Sequence, residues 1–140
     1  MMALTASSAP AANQYWDASD TAGLQAGSGT WSNSNGNPFR NWNDATGSGS
    51  RVRWNNNNDA FFDASGTSVV TLDTSNLPTA SSLTFNGTGY TIQTGTLTLS
   101  GTHTITTNAD ATISSLIASP HSVKCSIRKH QPQHCSMPTM

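Results

Sequence analysis

Close to the C-terminus, Cys125, His130, His134 and Cys135 form the pattern Cys-x4-His-x3-His-Cys. Thiolate and imidazole together have the softness zinc prefers, and His-x3-His is a usable ligand spacing. Three features weigh against a zinc centre. No Cys-x2–4-Cys pair is present, adjacency of His134 and Cys135 strains a tetrahedron, and few apolar residues could form an outer shell. A Cys125–Cys135 disulfide in an exported protein is a competing reading. So is an unstructured tail over residues 118–140. No cofactor is expected.

Trp31, Trp42 and Trp54 are a second candidate set. Their rings could stack on sugars, with the surrounding Asn and Asp hydrogen-bonding the hydroxyls, as in a carbohydrate-binding module. With Trp16, they could instead build the core of a region poor in aliphatic residues. Asp17/Asp20 and Asp59/Asp63 are paired carboxylates, as glycoside hydrolysis needs. Loop Asp residues are more commonly turn formers. Residues 67–117 hold only Asp73 and Asp110 as acids and have no Lys or Arg. A lyase relying on Asp-bound calcium and a basic proton acceptor has no materials there. His103 lacks a Ser, Cys or Asp partner at an interpretable spacing. No enzymatic activity is expected.

Whatever positions these residues is built from an unusual composition. The chain has 140 residues, of which 34% are hydrophobic and 9% charged, and it contains no Glu. Many Thr, Asn, Ser and Gly with few Lys point away from long helices and toward strands and turns. Residues 1–119 carry seven Asp against Arg40, Arg51 and Arg53, a balance of −4, whereas 120–140 carry only Lys124, Arg128 and Lys129. A net charge of −1 gives no attraction to nucleic acid or to anionic membranes. No segment is apolar enough to span a membrane as a helix.

Between Val69 and Ser115 short phrases alternate Thr with a large apolar residue, then break at a turn. A strand buries every second residue. Val70 and Leu72 therefore share a face, as do Leu83 and Phe85, Tyr90 and Ile92, Leu97 and Leu99, and Ala111 and Ile113. Thr71, Thr84, Thr91, Thr98 and Thr112 point outward. Phe85, Ile92, Leu99, Ile105 and Ile113 follow at steps of 7, 7, 6 and 8. Three such steps make a coil of roughly 20 residues, at the short end of solenoid periods. The pattern favours a parallel β-helix; a β-sandwich is the alternative.

Four zones follow. Residues 1–11 read as a signal-peptide remnant or a disordered leader, with Ala9-Pro10-Ala11 resembling a cleavage site. Residues 12–66 are a cap region rich in Trp, Asn and Gly, of irregular β character. Residues 67–117 are β-helix coils, and 118–140 an unstructured, frameshifted tail.

Taken in order, Tyr15-Trp16-Asp17, Gly27-Ser28-Gly29-Thr30-Trp31-Ser32, Asn41-Trp42, Asn58-Asp59-Ala60-Phe61-Phe62, Val69-Val70-Thr71-Leu72, Leu83-Thr84-Phe85, Gly89-Tyr90-Thr91-Ile92, Gly95-Thr96-Leu97-Thr98-Leu99-Ser100-Gly101 and Ala111-Thr112-Ile113-Ser114-Ser115 form a distinctive series. Over about residues 13–117 it resembles the start of the passenger region in bacterial proteins with autotransporter-associated β-strand repeats. The resemblance implies an all-β, right-handed parallel β-helix, exported and displayed at the outer-membrane surface or released. It implies a structural, adhesin-like role, with host or matrix surfaces or glycans as partners. Members run on into further Gly/Thr/Leu repeats where this chain reads Ser119-Pro120-His121, so a truncated passenger is expected. An open β edge on so few coils also predicts self-association.

Overall fold

Thr alternating with apolar residues requires extended chain, and the chain is extended eleven times in the computed structural model, which describes residues 10–34, 39–120, 122 and 124–127. The strands are β1 (Asn13–Trp16), β2 (Gly29–Trp31), β3 (Trp42–Asn43), β4 (Asn58–Phe62), β5 (Ser68–Leu72), β6 (Thr79–Phe85), β7 (Tyr90–Gln93), β8 (Thr96–Thr107), β9 (Ala111–Ile113), β10 (Leu116–Ala118) and β11 (Lys124–Ile127). No helix occurs among the described residues.

One sheet runs β2-β5-β7-β9, and the other β10-β8-β6-β4-β1-β3 with β11 also on β8. Every named strand pair is parallel except β1–β3. From β4 to β10, strands that follow one another in the chain alternate between sheets, so each turn of chain lays a strand on the turn before. This is a parallel β-helix of about three turns, and the sandwich alternative falls. Val70 lies beside Ile92, and Ile92 beside Ile113. The larger sheet is itself bent. Between Leu99 and Thr104 β8 carries four residues opposite the single Ser81 of β6. Gly101 (φ 66°) and His103 (φ 54°) turn the strand there.

The inward parity read from the sequence holds. Val70, Leu83, Phe85, Ile92, Leu97, Leu99 and Ile105 are buried, while Ala111 and Ile113 pack against this core from its partly open end. Burial of each large aliphatic or aromatic side chain contributes about 1.5–3 kcal/mol.

A polar column runs along one corner outside that core. The Asn108 amide donates to Asn86 Oδ1, and the Asn86 amide donates to Asp63 Oδ1, each at 2.7 Å. The partners are 22 and 23 residues apart, one full coil. At this corner Gly87 is required by close approach, since a Cβ there would overlap the backbone of Ala64. Gly95 is required for a different reason. With Thr94 (φ 64°) it makes the two-residue turn between β7 and β8 at φ 59°, which favours glycine.

The Trp-rich region joins the stack: β2 pairs with β5 and β4 with β6. Only its outermost layer departs from the coil. There β3 runs antiparallel to β1, and Val52 bridges to Trp42 in the same sense. The expected unstructured tail is corrected in part. Lys124–Ile127 forms β11, paired with Thr104–Thr107 one coil earlier. The open ladder of β8 is a template for any extended segment, and these four residues contain no Gly or Pro. Residues 1–9 and most of the tail lie outside the described residues.

Candidate functional site

The sequence candidates separate once placed. Trp31 and Trp42 are 0% exposed and Trp54 1%. Their indoles interlock, with centroids 4.9 Å apart for Trp31–Trp42, 5.0 Å for Trp31–Trp54 and 4.5 Å for Trp42–Trp54. No ring face is left for a sugar. Trp54 Nε1 donates to the Thr79 carbonyl at 2.9 Å, and Trp16 Nε1 to Gly27 at 3.0 Å. Of the zinc set, only Cys125 is described, and it is disulfide-bonded. His130, His134 and Cys135 lie outside the described residues.

The carboxylate pairs are tied into the scaffold. Asp17, 1% exposed, accepts Gln25 N–H and the Asn43 amide at 3.1 and 2.9 Å. Asp20 pairs with Arg51, whose Nε and Nη2 reach its two oxygens at 2.8 and 3.1 Å. The Arg51 hydrogen bond holds the Asp20 carboxyl below its ordinary pKa. Asp59 accepts the Ser82 hydroxyl at 2.6 Å, one coil on, and Asp63 starts the corner column. Asp73 receives the Ser32 hydroxyl at 2.6 Å, which lowers its pKa and ties β5 to β2. Each of these carboxylates accepts hydrogen bonds from the scaffold around it.

Two clefts remain. One, of about 650 Å³, is lined by Pro10, Ala11, Asn56–Asn58, Ser81, Ser100 and Gly101. Two of its amide oxygens are spent internally: Asn57 Oδ1 accepts from Thr79 and Ser100, and Asn56 Oδ1 from Thr79 N–H. The other, of about 610 Å³, lies at the outer layer and is lined by Arg40, Val52, Arg53 and Asn55. Its wall is rigidly set. Buried Gln14 donates to the Arg53 carbonyl at 2.9 Å and accepts Asn55 N–H at 2.8 Å. Val52 is held to Trp42 by backbone bonds of 2.7 and 3.2 Å. With Trp54 pinned inward, Arg53 and Asn55 face outward together. This cleft was not singled out in the sequence, although all three Arg of residues 1–119 fall between positions 40 and 53.

The geometry is that of a parallel stack with a basic cleft at its outer layer. No family model matches the sequence, and no solved structure matches it. The Adhesin BmaC autotransporter of Brucella suis biovar 1 (strain 1330) is similar to it, 38% identical over 117 residues. Coil and sequence together fit an autotransporter passenger segment. The match covers 81% of this chain and 3% of that relative, so the passenger segment spans a small part of the protein it resembles. Among the described residues of the segment, no helix is long and apolar enough to cross a membrane.

Proposed function

We propose that this chain is a non-enzymatic, adhesin-like segment of a passenger displayed at the bacterial surface or released from it. Its work is presentation: a parallel stack holds loops and the outer layer of the Trp-rich turn toward host or matrix surfaces. The observation that carries this reading is the 38% identity, across most of the chain, to a protein named an adhesin autotransporter. The commitment of the Asp17/Asp20 and Asp59/Asp63 carboxylates to structural hydrogen bonds supports a role without catalysis. Antibody raised against the folded chain should label intact producing cells and reduce their attachment to matrix-coated wells. Labelling only after lysis, or undiminished attachment at saturating antibody, would overturn the reading.

A further inference from the structure

We propose that the cleft between Arg40, Val52, Arg53 and Asn55 binds a carboxylated sugar, a uronic or sialic acid residue. The proposal rests on the adhesin reading and names the chemistry by which contact is made. Its volume of about 610 Å³ falls within the range of small-molecule sites. The chemistry of its walls is specific. Two guanidinium groups present planar donor forks, the geometry that matches a carboxylate. Asn55 offers an amide with both donor and acceptor character for hydroxyls, and its side chain makes no hydrogen bond among the described residues. Val52, 46% exposed, supplies an apolar surface for the C–H face of a pyranose.

Electrostatics favour an acid at this place. The formal balance of residues 1–119 is negative, and their three positive side chains all flank the outer layer. A second, smaller cavity of about 170 Å³ joins Arg40 to Ser50, Arg51 and Asp20. Its one acid, Asp20, is held by Arg51 and does not oppose the cleft. The framework is built before any ligand arrives. Gln14 fixes the 53–55 backbone from both ends, and Asn41, next to Arg40, donates to the Thr30 carbonyl at 3.0 Å. Fixing the backbone that carries the donors limits the freedom lost on binding.

The test titrates the full chain with sialyllactose and with a glucuronate-bearing tetrasaccharide. Lactose and the carboxyl-reduced tetrasaccharide are the neutral partners. At least one acidic sugar should bind about tenfold or more tightly than its neutral partner, and binding should weaken with salt. Arg40→Gln should lose about tenfold in affinity with an unchanged circular dichroism spectrum. Arg53→Gln should behave alike, and Thr91→Ala, on an outward face far along the stack, should not. Equal binding of acidic and neutral sugars, or unchanged affinity in both Arg variants, would overturn the proposal. Attachment of displaying cells without acidic-sugar binding overturns the cleft and leaves the adhesin reading standing. Sugar binding without attachment overturns the adhesin reading alone.

Discussion

Phe62 and Phe85 stack ring over ring, with centroids 4.7 Å apart and planes 12° from parallel. They occupy the same register position one coil apart, so the stack repeats the coil in side chains. Phe62 also meets Trp31, Trp42 and Tyr90 edge-on at 5.9, 5.7 and 5.1 Å. It therefore couples the indole cluster of the first turn to the aliphatic interior of the later ones.

Phe62→Ala removes that coupling and leaves a cavity between the two cores. The expected loss is about 3–5 kcal/mol, read from urea denaturation of the full chain. Tryptophan fluorescence should then unfold at lower urea than β-sheet circular dichroism, because the Trp turn has lost its contact with the rest.

Gln14 carries an analogous burden in polar form. One buried amide satisfies Arg53 C=O, Asn55 N–H and the Asn58 side chain. Gln14→Leu leaves these groups without their partner. A destabilisation of about 1–3 kcal/mol is expected, together with loss of acidic-sugar binding at temperatures where the chain remains folded.

Asn86→Ala cuts the corner column between Asp63 and Asn108. Since the site is exposed, the expected cost is about 0.5–1.5 kcal/mol per bond. Asn86→Asp should be worse than Ala above about pH 5, because it sets a second carboxylate against Asp63, and should recover on acidification. A thermal melt series from pH 3 to 7 reads both effects.

Much of this was legible from the residues. Leu97, Leu99, Ile92 and Phe85 announce their inward face because a strand has period two, and the short steps between them leave room only for tight corners. The first turn was harder to read. Strands β2 and β3 have three and two residues, too few to show alternation, and their burial depends on Trp packing across the coil. β11 was invisible because its pairing is dictated by the open edge of β8 rather than by its own pattern. Gln14 gives no local signal either; its partners lie 39 to 44 residues away.

Tyr90 supplies a pH dependence. Its hydroxyl is buried, and desolvation raises its pKa well above the ordinary phenol value, with Ser68 working against the shift. The folded state thus favours the protonated form. That contribution is fully present below about pH 10, the unfolded value, and is lost as pH rises toward the folded one. Melting temperature should fall above pH 10. Tyr90→Phe should flatten that fall.

Presentation by a folded coil is tested most directly by attachment. The full chain is displayed on a non-adherent bacterial host beside an empty display scaffold and the Phe62→Ala variant, at matched surface levels. Cells are counted after washing on matrix-coated wells and host-cell monolayers. Intact coils should raise attachment several-fold over the empty scaffold, and Phe62→Ala should lose most of that gain. Attachment equal to the empty scaffold, or undiminished in a Phe62→Ala variant whose coupling of the Trp turn is lost, would show that the folded stack is not the adhesive element.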